Sequence, residues 1–273
     1  MKKVMTSILL ILFSIYFIIG LFLFIKQDNF LYFPTQASKS THTEELFING
    51  DISISTTVLN IGKDRAIIYF GGNAENVDNN ILNFSKMFTN HTIYLVKYRG
   101  YGSSTGRPTE EGLYSDALYI YDSIKEKYQN ISIISRSLGT GVATYLASKR
   151  KIDKLALITP FDSVENVAQK KFPIYPMSLL LKHKYKSIER VDKIKAQTLI
   201  LMAENDQVVN NEHTENLASK FPVSQLNMQV IKGEGHVSIS NNRLYYALLK
   251  DYFQREISIK TFPTAKPPKV PIK

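Results

Sequence analysis

Six short apolar runs that lack polar alternation constrain this chain more than any other feature, at residues 66–70, 92–96, 131–134, 155–159, 198–202 and 228–231. A strand with one wet face alternates apolar and polar residues. A continuous apolar run needs cover on both faces, as in a parallel sheet held between two layers of helix. Helical patterns fill the gaps, at residues 76–88, 138–149, 212–219 and 242–253. Thr109, just after Pro108, can cap a further helix whose Leu113, Ala117, Ile120 and Ile124 share one face. This alternation predicts an α/β fold, a mostly parallel twisted sheet flanked by helices. Ahead of it, residues 45–48 and 52–61 surround Asn49-Gly50-Asp51 and predict an antiparallel hairpin with one solvated face. The longer interval 160–197 contains Phe172-Pro173-Ile174-Tyr175-Pro176 and predicts a small helical cap at about 162–197.

The N-terminus adds a different constraint. Residues 4–25 hold no charge, and about 20 apolar residues rising ~1.5 Å each cross a bilayer core of roughly 30 Å. The run is longer than the apolar part of a cleavable signal and no small-residue cleavage pattern follows it, so residues 1–26 are expected to be an uncleaved membrane anchor. A signal peptide cut at an unrecognised site is the alternative. Phe30, Tyr32 and Phe33 are expected to form an interfacial aromatic belt. Lys2, Lys3 and the α-amino group outweigh Lys26 beside Asp28, which places the N-terminus in the cytoplasm and the main domain, 27–256, on the non-cytoplasmic side. Residues 257–273 are rich in proline and lysine and read as a basic tail.

With 273 residues and 44% hydrophobic content, one full-sized core is possible. The absence of cysteine excludes disulfides, thiolate catalysis and cysteine-based zinc sites. A net charge of +10 favours anionic surfaces. With no dense basic helix or aromatic-and-basic motif, that surface is lipid and no nucleic-acid partner is expected. Lys170, Lys171, Lys182, Lys184 and Lys186 make the cap basic, as solvated lysines or as an attractor of anionic groups.

The apolar run at 131–134 ends in Ser135-Arg136-Ser137-Leu138-Gly139 and leads into a helical pattern. A strand, a sharp turn and a helix in that order can hold one serine hydroxyl clear of the backbone, given small residues two before and two after it. Alone, the pattern also fits an ordinary turn. A serine nucleophile needs a histidine base, and the histidine needs a carboxylate to fix its tautomer. Asp206 follows the run at 198–202, and His236 lies in the loop Lys232-Gly233-Glu234-Gly235-His236 after the run at 228–231. Singly, Asp206 also reads as a turn former and His236 as a polar loop residue; together they occupy the order that such a site requires. Glu204 and Asp162 are the alternative acids, and His42, His91, His183 and His213 read as surface or helix-end residues. Two donors for a developing oxyanion are expected from the N–H of Leu138 and from the loop Gly71-Gly72-Asn73, with the Asn73 N–H chosen. A tight glycine loop, residues 97–106, follows the run at 92–96, and its Arg99 is expected to pair with a nearby carboxylate.

With these residues laid out, the chain resembles the α/β-hydrolase superfamily, and within it a membrane-anchored, bud-emergence-type, serine-aminopeptidase-like branch. The resemblance runs from QDNFLYFPT at residue 27 to the last helical pattern, through FGGNAEN, YRGYGSSTGRPTEEGLYSDA, SRSLGTGVA, LILMAENDQVV and GEGHVSI. It implies the α/β-hydrolase fold and a serine hydrolase independent of metal and cofactor. Carried over by position, it implies Ser137 as nucleophile, Asp206 as acid, His236 as base, and Asn73 and Leu138 as oxyanion donors. Gly71 stands where a histidine is usual, Ser135 where the turn usually has glycine, and Gln197 where proline is common. The expected activity is cleavage of acyl esters or thioesters at a membrane, on lysophospholipids, monoacylglycerols or acylated proteins. A serine aminopeptidase, with Glu75 and Glu234 as the only nominated amine-binding acids, and a non-catalytic binding protein on the same fold are the alternatives. Substrate-contacting residues are not legible.

Overall fold

The computed structural model describes residues 1–37 and 42–254. The expected tail at 257–273 lies outside them. The chain opens with helix α1 (Lys2–Leu31), 30 residues that are long and apolar enough to cross a membrane. At ~1.5 Å per residue it extends about 45 Å. It continues as one helix past Lys26, and its buried residues are Gly20 and Gln27. The hairpin β1 (Glu44–Asn49) and β2 (Ile52–Leu59) turns at Gly50, whose φ of 62° suits glycine. Then come β3 (Arg65–Phe70), α2 (Ile81–Met87), β4 (Thr92–Val96), α3 (Glu110–Ile124), β5 (Asn130–Arg136), α4 (Leu138–Lys149) and β6 (Lys154–Ile158). The interval 162–197 holds short helices α5 (Val164–Lys171) and α6 (Met177–Leu180) and a 3-10 segment (Ser187–Lys193). The chain finishes with β7 (Gln197–Ala203), α7 (Asn211–Ala218), β8 (Leu226–Ile231) and α8 (Arg243–Gln254).

One sheet joins the eight strands in the order β1-β2-β4-β3-β5-β6-β7-β8, antiparallel at β1–β2 and β2–β4 and parallel throughout the rest. The central strand shows why its sequence is uniformly apolar. Ala66, Ile68 and Phe70 pack into one layer with α3 and α4, whereas Ile67 and Tyr69 face the layer of α2 and α8. Burying each such side chain stabilises the fold by about 1.5–3 kcal/mol over leaving it exposed. The Thr109 hydroxyl accepts from Gly112 N–H at 3.0 Å and caps α3, which buries Leu113, Ala117, Ile120 and Ile124.

Three expectations are corrected. β2 has no solvated face: it is buried from Ile54 to Leu59, because Ile54 and Val58 pack into one core layer and Leu59 into the other. Tyr32 is buried and its hydroxyl lies 2.8 Å from that of Tyr185, so it belongs to the core and not to an interfacial belt. His91 is buried as well, among Phe88 and Phe253, whereas His213 is a helix-end residue in the first turn of α7, buried against Asp162. In the cap, Lys170 is paired with Glu212, Lys186 with Glu189, and Lys184 lies near Glu165, which takes up much of its positive charge.

Candidate active site

From β3 the chain crosses to β4 on one side and from β5 it crosses to β6 on the other, so the connections part between β3 and β5. A crevice at the carboxyl ends of the strands is expected where a doubly wound sheet divides in this way. The loop Gly71-Gly72-Asn73 leaves β3 there, and Ser137 leaves β5 beside it. A Cβ built on Gly72 would stand 3.7 Å from the Ser137 Cβ.

Ser137 has φ 48° and ψ −119°, a conformation that L-residues avoid. Such backbone strain is of order 1–3 kcal/mol and persists only where the surroundings over-determine it. Here the Ser137 N–H donates to Ile158 O at 2.9 Å, and its carbonyl accepts from the Thr140 N–H at 2.9 Å and hydroxyl at 2.7 Å. Gly139 lets α4 run against β3: a Cβ there would fall 2.2 Å from Phe70 O and 2.7 Å from Gly71 O. Ser135 is accommodated, fully buried, with its hydroxyl donating to Ala156 O at 3.2 Å on the neighbouring strand.

Asp206 and His236 reach the same edge from the ends of β7 and β8. The His236 Nε2 lies 2.8 Å from Ser137 Oγ and its Nδ1 lies 2.7 Å from Asp206 Oδ2. A carboxylate only accepts, so Nδ1 carries the ring proton and Nε2 is free to accept from the serine hydroxyl. The other oxygen, Asp206 Oδ1, accepts from Val208 and Val209 N–H at 2.9 and 2.8 Å, which fixes the carboxylate plane. The Asp206 side chain is 2% exposed and that of His236 10%. The alternative acids are engaged elsewhere. Glu204 accepts from Gly233 N–H, and Asp162 sits 3.0 Å from His213 Nδ1. Burial alone would raise the Asp162 pKa, but hydrogen bonds from His213, Asn166 and Ser163 N–H outweigh it and lower the value.

Leu138 opens α4, where an N–H has no intrahelical partner and is free for a ligand. Asn73 is held through its other groups. Its carbonyl accepts from Phe33 N–H at 3.1 Å and Tyr101 Oη–H at 2.7 Å, and its side-chain amide donates to Leu31 O at 3.1 Å. The end of α1 and the segment after it therefore brace this loop. Where a histidine is usual, Gly71 leaves room for Val77, whose Cγ1 would be 2.8 Å from an added Cβ, and the Gly71 carbonyl accepts from Tyr98 Oη–H at 2.7 Å.

Arg136, outside the expected set, and Glu75, nominated only as an amine-binding acid, tie the loops together. Arg136 Nη2 donates to the carbonyls of His236 and Val237, each at 3.0 Å, and its Nη1 lies 3.9 Å from Glu75 Oε2. Glu75 accepts from Gly72 N–H at 2.8 Å, Tyr69 Oη–H at 2.6 Å and Asn80 Nδ2 at 2.8 Å. The histidine loop, the turn and the glycine loop are thus one connected network. Arg99 pairs with Asp116 through two 2.7 Å hydrogen bonds and anchors its glycine loop to α3. Among the described residues no cluster of three or more His, Asp or Glu suited to a metal occurs.

No protein-family model matches the chain. It is 32% identical over 149 residues to an uncharacterized protein of Mycobacterium tuberculosis, covering 53% of either chain. An alpha/beta hydrolase domain-containing protein of Caenorhabditis elegans is 28% identical over 173 residues, which is 62% of this chain and 51% of the relative. The chain spans about half the length of these curated relatives. Among solved structures, an alpha/beta hydrolase enzyme from a deep-sea metagenome superposes with a TM-score of 0.64 at 13% identity, covering 80% of this chain and 100% of that one. A Pyrococcus furiosus esterase gives 0.63 at 16% identity over 82% and 98%. At these identities the structural likeness speaks for the fold.

Proposed function

We propose that this protein, a member of the α/β-hydrolase superfamily with that superfamily's fold, is a membrane-anchored serine hydrolase of acyl esters or thioesters. The observation that carries the reading is the line from Ser137 Oγ through the His236 ring to Asp206, at 2.8 and 2.7 Å, with the serine in a strained turn. Ser137 attacks the acyl carbonyl while His236 Nε2 takes its proton, and the Asp206 carboxylate stabilises the imidazolium. The Asn73 and Leu138 N–H groups receive the oxyanion of the tetrahedral intermediate. Collapse expels the alcohol or thiol, protonated by His236, and leaves an acyl group on Ser137. Water, deprotonated by the same histidine, then releases the acid and restores the serine.

The length and apolarity of α1 support a single-pass anchor, and an anchor brings acyl substrates held at a bilayer within reach. An aminopeptidase finds less support. The carboxylate of Glu75 already accepts from Tyr69, Gly72 and Asn80, and Glu234 accepts from Asn242 Nδ2 at 3.1 Å. The Glu75 carboxylate is therefore taken up in holding the glycine loop, and that of Glu234 is tied to Asn242. The full chain in detergent, offered a short acyl ester, an S-acyl peptide and an aminoacyl amide, is expected to cleave the first two. Turnover of the aminoacyl amide alone would overturn the ester and thioester assignment.

A further inference from the structure

The cap segment at residues 172–181, FPIYPMSLLL, carries no charge. Ile174 and Leu179 are 69% and 80% exposed, an unusual placement for large aliphatic side chains that protrude together from one short element. Its position is set by α1. The Tyr175 and Tyr16 rings stack at 4.6 Å, Tyr16 Oη–H donates to Ile174 O at 3.0 Å, and Tyr175 Oη–H donates to Tyr16 O at 3.2 Å. The two buried positions of α1 are both covered by the cap. Gly20 admits the Tyr175 ring, which an added Cβ would meet at 3.2 Å, and Gln27 bonds Leu180 O and Lys182 N–H at 3.2 and 2.7 Å. Small residues and satisfied polar groups are what joins two elements inside a bilayer, where apolar attraction between them is lost.

The level of the lipid boundary can be read from the same contacts. Lys182 Nζ lies 4.8 Å from the Phe24 ring centroid, and His183 Nε2 lies 3.3 Å from Asp28. Charged groups on α1 and on the cap thus gather at the level of residues 24–28. Tyr16 is eight residues below Phe24, or about 12 Å at ~1.5 Å per residue, which reaches most of the way through one leaflet of a core roughly 30 Å thick.

A segment at that depth that is helical only over Met177–Leu180 must satisfy the rest of its own backbone, since lipid offers no hydrogen bonds. This one pairs most of its backbone groups. Pro173 and Pro176 have no N–H to satisfy. The N–H groups of Phe172, Tyr175, Leu179, Leu180 and Leu181 donate to carbonyls within the cap, and that of Met177 to Gln169 Oε1. The carbonyls of Pro173, Ile174, Ser178 and Leu180 accept from the side chains of Gln169, Tyr16, Lys184 and Gln27. A water-facing loop has no need of so many side-chain donors.

We propose that residues 172–181 form a second membrane-inserting element, which lies against α1 in the acyl-chain region of the bilayer and brings the candidate active site down onto the lipid surface. The occupant of the exposed Ile174 and Leu179 face is lipid hydrocarbon, argued from its continuity with α1 and from the charged boundary above it. The inference rests on the reading of α1 as an anchor.

The chain has no cysteine, so a single introduced thiol is unique. Phe13→Cys on α1, Ile174→Cys and Leu179→Cys on the cap, and Leu82→Cys on α2 all replace exposed side chains. Each full-length variant, checked by thermal unfolding, is labelled with an environment-sensitive fluorophore in phosphatidylcholine–phosphatidylglycerol vesicles. Labels at 13, 174 and 179 are expected to be quenched by lipids carrying a nitroxide on the acyl chain and to resist aqueous iodide, with the label at 82 showing the reverse. Iodide access at 174 and 179 with protection at 13 would overturn the inserted cap and leave the anchor standing. Iodide access at 13 would overturn the anchor, and the inserted cap with it.

Discussion

Replacing Gly139 by alanine tests whether the turn and the glycine loop are packed as closely as the structure has them. The new methyl group would lie 2.2 Å from Phe70 O and 2.7 Å from Gly71 O, the first more than 1 Å short of the 3.4 Å at which ordinary contact begins. Both obstacles are backbone of the central strand and its outgoing loop, so no side chain can swing away. Either α4 withdraws, carrying Ser137 with it, or Gly71 and its neighbours shift away from the serine. Overpacking of this kind costs about 3 kcal/mol, the upper end of its usual range. For a domain of this length that lowers Tm by roughly 6–12 °C. A displacement of about 1 Å between nucleophile and oxyanion donors lowers turnover about 100-fold. Gly62→Ala supplies the control: φ there is 89°, so alanine is strained, but nothing lies within 4 Å of the added methyl. It is expected to lose about 1–2 kcal/mol and keep its kcat. The assays are thermal unfolding and turnover of a soluble short-chain ester by full-length protein in detergent. A Gly139→Ala protein with wild-type melting and turnover would refute the close approach. One that melts early but keeps wild-type kcat would refute the coupling of helix position to chemistry.

Asp206→Asn is expected to lower kcat by about 10⁴ with little change in fold. The amide oxygen stays on the Val208 and Val209 N–H groups, so the NH₂ faces His236 Nδ1 and drives the ring proton to Nε2; a kinetic profile over pH checks it. Arg136→Met removes the two hydrogen bonds to the carbonyls of His236 and Val237, and about tenfold loss of turnover is expected. Partial recovery with Arg136→Lys is expected in the same assay. His91 is buried near Arg65 and Lys154, and burial first, then those two charges, lowers its pKa from 6.5 to about 4. The unfolded chain therefore binds the proton first, and stability falls as pH drops from 6.5 towards 4, by at most about 3 kcal/mol. His91→Phe, which keeps the edge contacts to Phe88 and Phe253, is expected to flatten that acid limb in urea midpoints measured across the range.

What the sequence disclosed depended on how local the cause was. The inner parallel strands were legible because each needs cover on both faces within a few consecutive residues, and β3 with Ala66, Ile68 and Phe70 on one side and Ile67 and Tyr69 on the other is the clearest case; β8, at the sheet edge, is only partly buried, against what its apolar run predicts. The hairpin was legible at its Gly50 turn, yet the burial of β2 was not, because the layers that receive Ile54, Val58 and Leu59 are built from residues far along the chain. Tyr32 misled for the same reason: an aromatic just past an apolar span looks interfacial until Tyr185 is brought to it from 153 residues on. Ser137, Asp206 and His236 were nominated from strand ends in the right order, and the structure brings those three together. The brace of Arg136, Glu75 and Gly72 carried no signal, since Arg136 occupies the unspecified position of the turn motif and its partners lie 61 and 100 residues away.

The central claim is that Ser137 is an activated nucleophile. Full-length protein in detergent, treated with a fluorophosphonate probe and mapped by peptide mass spectrometry, is expected to carry one phosphonyl group on Ser137. Labelling should vanish in Ser137→Ala and fall sharply in His236→Ala, with both variants melting as the wild type does. A folded wild-type protein that takes no label, or takes it on another serine, would contradict the claim.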